Sequence, residues 1–191
     1  MYSPLQMAAD LIENYKKLKE AGIGTYILFQ ETYHKPTYEY LHPHGPKHDY
    51  AYHTEAMDRA MQAGIDDVGI GVLFGLNLYR YDFVGLLMHA KHLEDSFGVG
   101  PHTISVPRIR PADDVDLKEY SNAISDATFK KIVAILRLAV PYTGIIVSTR
   151  ESKESRQEVL DVGVSQVSAA SCTSVGGYAE KELENSSQFE V

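Results

Sequence analysis

The residues best suited to chemistry lie close together. Between Tyr33 and His53 fall five of the eight histidines (His34, His42, His44, His48, His53) and five of the thirteen tyrosines. Gln30 and Glu31 stand immediately before them. Neutral imidazoles ligate zinc, iron or copper, and catalytic zinc often takes three of them. His42-Pro43-His44 with His48 and His53 therefore admits a metal site, as in a metal-dependent hydrolase. The opposing reading is a loop whose Pro36, Pro43, Gly45 and Pro46 keep the side chains from converging. His53 borders a helix and is the best held of the set. His89 and His92 read as surface residues of a later helix.

A second set is Arg108 and Arg110 in Ser105-Val106-Pro107-Arg108-Ile109-Arg110-Pro111. Two residues apart on an extended chain, they share a face. A planar guanidinium suits a carboxylate, so an amino-acid-like anion fits. Pairing with Asp113, Asp114 and Asp116 accounts for them equally well. Gly69-Ile70-Gly71 does not open a helix, so it is not a dinucleotide fingerprint. It reads as close backbone packing at a strand, against a neighbouring element or a flat ligand. Cys172 has no evident activating base and reads as a buried small residue.

The elements that must position these residues follow from periodicity and punctuation. Residues 4–21 have helical spacing, with Ser3 as cap, Pro4 at the first position and Gly22 as stop. A strand over 24–30 empties into the His/Tyr segment, read as a long loop; loops of that length tend to be functional. Thr54–Ala63 is a helix. Val68–Phe74 is apolar nearly throughout, as in a parallel strand buried on both faces. A helix over Asp82–Phe97, a strand over His102–Val106 and an acidic irregular stretch over 112–124 come next. A helix over Asp126–Val140, a strand over Gly144–Ser148, a helix from Ser152 to Gly163 and a short strand over Ser165–Cys172 complete the pattern. Strict alternation implies an α/β fold with about five parallel strands and flanking helices. Five strands suit an open sheet or part of a barrel. In both, ligands sit at the carboxyl ends of the strands.

The composition narrows the partners. The formal charge is -8 and the pI near 5.4, which argues against nucleic acid or an anionic membrane. No window approaches the length of a transmembrane helix. Met1-Tyr2-Ser3-Pro4 lacks the order of a signal peptide, so a cytoplasmic location is expected. The single cysteine excludes an internal disulfide and any all-cysteine metal site.

The stretch from Gly22 to Leu76, which contains QETYHKPTYEYLHPHGPKHDYAYHTEAMDRAMQAGIDDVGIGVLFGL, closely resembles the radical S-adenosylmethionine tyrosine lyases. HLEDSFGVGPHTISVPRIRPA and SAASCTSVGGYAEKE continue the likeness. The resemblance covers nearly the whole chain from about Asn14. It is strongest to the FeFe-hydrogenase maturase branch, with the thiazole-forming lyase of thiamin synthesis as near relative. It implies a partial TIM-type (βα) barrel whose five strands are the fourth to eighth. Residues 1–178 would be the C-terminal half of that barrel. Within them, about 105–178 would be a biotin and thiamin synthesis associated segment, and 179–191 a polar tail leading to a further domain.

The activity implied is cleavage of tyrosine to p-cresol and dehydroglycine, using S-adenosylmethionine and a 4Fe-4S cluster. In the maturase branch, carbon monoxide and cyanide follow on a second cluster. Gln30, Glu31, Tyr33, Gly71 and Val72 then stand where S-adenosylmethionine is approached, with Glu31 suited to ribose hydroxyls. Ser105, Arg108 and Arg110 stand where amino-acid carboxylates are held, and His53 where an iron ligand is expected. The family's cluster cysteines have no counterpart here, and a cluster needs its thiolates. The chain alone is therefore expected to hold no cluster and to be inactive without the regions missing at both ends. A non-catalytic half-barrel that self-associates is the alternative of another class. Exposed sheet edges and an uncovered interior favour a homo-oligomer.

Overall fold

The computed structural model describes residues 5–6, 9–110 and 120–168. Their elements are β1 (Leu5–Gln6), α1 (Ile12–Glu20), β2 (Tyr26–Glu31), α2 (Lys35–Leu41), α3 (Tyr50–Thr54), α4 (Ala56–Gln62) and β3 (Val68–Val72). There follow α5 (Tyr79–Phe97), β4 (Thr103–Ser105), α6 (Asp126–Ala139), β5 (Gly144–Val147), α7 (Lys153–Leu160) and β6 (Gln166–Val167).

All six strands pair in parallel, in the order β1-β2-β3-β4-β5-β6. Each strand lies beside its neighbour in sequence, with no reversal of direction. A doubly wound sheet reverses its order midway. This sheet does not, so successive right-handed crossovers place the helices on one side only. That is the topology of part of a (βα) barrel, and the fold is α/β.

Burial shows the two faces. Along β2, Tyr26, Leu28 and Gln30 are buried while Ile27, Phe29 and Glu31 are partly exposed. Along β5, Ile145 and Val147 are buried while Gly144 and Ile146 are partly exposed. The buried set packs with Val68, Ile70, Val72, Ile104 and Val106 against Met57, Ala60, Leu86, Leu93, Phe129, Val133 and Leu136 of the helices. The opposite, barrel-interior face carries Ile27, Phe29, Gly69, Gly71, Thr103, Ser105 and Ile146, in register across the strands.

Several elements differ from the sequence reading. The helix expected over 4–21 begins at Ile12, where Asp10 Oδ1 accepts the Leu11 amide at 2.8 Å. Leu5–Gln6 is instead a strand against Tyr26–Ile27. An extended segment there gains ladder hydrogen bonds on an otherwise open sheet edge, which one more helical turn would not. The His/Tyr segment is not one long loop. His34 caps α2 by accepting the Thr37 amide, with Pro36 in the first turn. Asp49 caps α3 through the Tyr52 amide at 2.9 Å. Proline in a first turn starts a helix rather than breaking one.

Other boundaries hold closely. Gly98 ends α5 with φ of 76°, the left-handed stop that glycine supplies. Ser125 and Ser152 cap α6 and α7 through the Thr128 and Ser155 amides. The expected continuation to Cys172, the acids Asp113, Asp114 and Asp116, and the tail 179–191 lie outside the described residues.

Candidate functional site

The carboxyl end of β2 is where strand, helix and loop meet. Glu31 has φ of 67° and interrupts the register with β3. A non-glycine residue in that region is strained unless its surroundings fix it. The fixing groups come from α5. Asp82 Oδ1 accepts the Thr32 hydroxyl and the Tyr33 amide, each at 2.8 Å. Asp82 is fully buried, and that burial raises its pKa. The Tyr50 hydroxyl donates to the Tyr33 carbonyl at 2.8 Å, tying α3 to the same turn. Glu31 itself pairs with Lys47 at 2.6 Å.

The residues singled out by sequence divide between the two faces. Gly71 and Ser105 lie side by side on the barrel-interior face, and Glu31 continues that face at its rim. A Cβ on Gly71 would lie 2.7 Å from Phe29 Cδ1 and 3.0 Å from the Ser105 carbonyl oxygen. Glycine therefore lets the Phe29 ring lie flat along the strand. Gln30 faces the helices instead, donating to Thr54 at 2.9 Å. Val72 is buried in the core on the same side.

The Tyr33 side chain is also on the helix side, with its hydroxyl 2.8 Å from His89 Nδ1. Its amide and carbonyl are already engaged. The Tyr33 phenol is thus turned away from the barrel interior. The cause is the left-handed turn at Glu31, which redirects the chain beneath α5.

Arg108 and Arg110 do not play equal parts. The Arg108 guanidinium is buried and held by Glu151 in a bidentate pair at 2.8 and 2.7 Å. It also donates to the Ile124 carbonyl at 3.0 Å and to Asp126, and it stacks on Phe129. Burial opposes its charge, but the bonds to Glu151 and Asp126 outweigh that and hold its pKa above the usual value. All three nitrogens are engaged by protein, so Arg108 joins β4 to α6 and α7 rather than presenting a free fork. Arg110 is looser, 3.5 Å from Asp126 and 3.8 Å from Glu151, and more open to solvent.

His53 is buried, with Nε2 2.9 Å from the Phe29 carbonyl and Nδ1 without a partner. Burial lowers its pKa, so it is a neutral imidazole with one nitrogen engaged. His34, His42 and His48 serve local structure. His42 stacks on Tyr38, and His48 Nδ1 lies 2.7 Å from the Gly45 carbonyl. Among the described residues no three His, Cys, Asp or Glu side chains converge on a metal position.

Lys47, Asp82 and Glu151 went unnoticed in the sequence. Asp82 carried one usable signal, an acid in the first turn of a helix behind the site. Glu151 and Lys47 carried none.

No helix of the described residues is long and apolar enough to cross a membrane. A family model, the Biotin and Thiamin Synthesis associated domain, matches residues 105–190. The chain is 34% identical over 186 residues to a 2-iminoacetate synthase of Salmonella typhimurium, covering 96% of this chain and 49% of that one. It is 62% identical to a solved structure described as HydG, a maturase of the [FeFe]-hydrogenase, with a TM-score of 0.90. That match covers 100% of this chain and 41% of the other. A methylornithine synthase at 21% identity and a TM-score of 0.69 shares the fold. The chain thus spans about half the length of the curated relatives it matches. Its fold and these likenesses together show that the chain is similar, over nearly its whole length, to the hydrogenase maturase HydG and to 2-iminoacetate synthase.

Proposed function

We propose that this chain forms one wall of the catalytic cavity of a tyrosine lyase acting in FeFe-hydrogenase maturation. The observation that carries the reading is Glu31, a strained carboxylate held at the carboxyl end of β2, beside the Phe29–Gly71–Ser105 strip. Strand carboxyl ends are where such barrels place their ligands. The carboxylate fits ribose hydroxyls, and the Phe29 ring offers a flat apolar surface to an adenine. Those residues would hold S-adenosylmethionine, which when bound supplies the means of hydrogen abstraction from tyrosine.

Of the two arginines, Arg110 is the better candidate for the tyrosine carboxylate, with Ser105 upstream in the same segment; Arg108 keeps the loop in place. The residues described here do not fit an iron–sulfur cluster, because no thiolate is among them and the only cysteine lies elsewhere. His53 is a neutral imidazole with an unpartnered nitrogen, but it is buried on the helix side of the sheet beside Leu28, Met57 and Ile70 rather than on the barrel-interior face, and no second ligand accompanies it. No step is routed through a cluster.

Identity favours the maturase branch over the thiamin branch, 62% against 34%. We further infer a cytoplasmic protein in which 105–178 completes the barrel and 179–191 leads out of it.

The test is Glu31→Gln in the full-length protein, with S-adenosylmethionine binding measured directly. Affinity should fall by about tenfold or more, the loss of one good polar contact. Unchanged affinity would overturn the assignment. Arg110→Ala should raise the KM for tyrosine with little change in S-adenosylmethionine affinity. The full-length protein should release p-cresol and carry dehydroglycine on to carbon monoxide and cyanide. Stopping at dehydroglycine would place it in the thiamin branch.

A further inference from the structure

On the helix side of the sheet, α3, α4 and α5 leave a cleft of about 710 Å³. That volume is ordinary for a small-molecule pocket. Tyr81, Val84 and Met88 are exposed at its mouth, and Tyr50 lines one wall. Beneath it is a pit of about 10 Å³, walled by Leu28, Met57 and Ile70 together with Gln30 and His53, whose Nδ1 is also buried without a partner. A pit of this size holds a single water or one hydroxyl. Cleft and pit share Tyr33, Thr54 and His89.

His89 therefore stands where the two meet. Its Nδ1 is engaged by the Tyr33 hydroxyl at 2.8 Å, and its Nε2 is buried with no partner. Gly85 makes this geometry possible. A Cβ there would lie 2.6 Å from Tyr33 Cγ, so only glycine lets the Tyr33 ring lie against α5 and fix the imidazole. Burial pushes the His89 pKa down to about 4, so the ring is neutral at physiological pH. Buried polar atoms without partners are uncommon and call for a ligand or an ordered water.

We propose that this cleft binds an uncharged aromatic molecule ending in a hydroxyl. The ring would lie among Tyr50, Tyr81 and Met88, with the hydroxyl on His89 Nε2. A hydroxyl both donates and accepts, so it satisfies Nε2 in either tautomer. An ionised head is disfavoured, because the polar groups of the pit, the Gln30 amide and the His53 and His89 imidazoles, offer it no opposite charge. The rim mixes charges, Glu55 and Asp58 with Arg80 and His92, so selection against a charged head rests on the pit. The cleft lies on the opposite face of the sheet from Gly71 and Ser105, and although Gln30, Tyr33 and His53 border its pit, the proposal uses none of the roles the lyase reading gives them.

The test is calorimetric titration with 2-phenylethanol, using ethylbenzene and 3-phenylpropanoate as controls, together with a crystal structure soaked in the alcohol. The alcohol should bind saturably and at least about tenfold tighter than either control. His89→Phe should erase that preference. Met88→Glu, at an exposed position, should abolish binding without changing the unfolding midpoint, which guards against a variant that merely misfolds. Equal binding of ethylbenzene, unaltered binding by both variants, or a water on His89 Nε2 at saturating alcohol would each overturn the proposal.

Discussion

Lys47 Nζ lies 2.6 Å from Glu31 Oε1, at the one non-glycine position among the described residues with positive φ. The two effects differ in size. A left-handed backbone costs an L-residue about 1–2 kcal/mol. A partly exposed ion pair returns about 0–1 kcal/mol. The pair does not offset the strain, so the carboxylate is kept there for something other than stability. Glu31→Gly should therefore stabilise the chain by up to about 1 kcal/mol in urea unfolding. The same change should weaken S-adenosylmethionine binding by the full-length protein. A destabilised Glu31→Gly would show that the turn is not strained.

Arg108 and Glu151 call for the opposite expectation. Their side chains are 1% and 2% exposed, so removing one charge strands the other in a dry interior. Glu151→Gln should destabilise the chain by about 3–5 kcal/mol. Arg108→Met combined with Glu151→Leu should recover much of that loss, because no charge is then left unpaired. Urea unfolding of the single and double variants decides it. If Glu151→Gln were neutral, Arg108 would be free to serve a substrate, as its place in the sequence first suggested.

The contrast between these two sites shows what the sequence could reveal. Gly22, Gly64, Gly98 and Pro141 punctuate apolar runs at the right periods, so the succession of strands and helices was readable from local chemistry. The choice between an open sheet and part of a barrel was not. It depends on which strands pair, a long-range property that spacing along the chain does not encode. Alternation does place Gln30 and Glu31 on opposite faces, but the unequal parts of Arg108 and Arg110 escaped, because Glu151 and Asp126 reach them from far along the chain. Alternation predicts which residues share a face only while the strand remains regular, and the φ of 67° at Glu31 ends that regularity. Lys47 reaches Glu31 only because α2 and α3 fold a segment that reads as loop.

His89 gives a pH dependence whose sign can be worked out. Its folded pKa is about 4 against an ordinary 6.5, because burial disfavours the imidazolium. Between those values the unfolded chain binds a proton that the folded chain does not. Stability therefore rises with pH across this window and is lost as pH falls from about 6.5 towards 4, by at most about 3 kcal/mol. His89→Gln should flatten that part of the stability profile in urea unfolding between pH 4 and pH 7. An unchanged profile would mean that the ring is protonated in the fold.

The barrel-interior face leads to the last expectation, that the chain self-associates. Ile27, Phe29 and Ile146 are partly exposed along it, and both residues of the β6 edge strand, Gln166 and Val167, are exposed. In a closed barrel these side chains would pack on the strands opposite. Here the same apolar surface, and a strand edge with no further strand beside it among the described residues, favour association with a second copy. Sedimentation velocity on the 191-residue chain should reveal a dimer or larger species whose population grows with concentration. Phe29→Asp should shift it towards monomer by placing a charge on the buried face. That variant should leave the fold intact, because Phe29 does not contribute to the helix-side core. A chain that stays monomeric at high concentration, with Ile27 and Phe29 open to solvent, would refute self-association through this face.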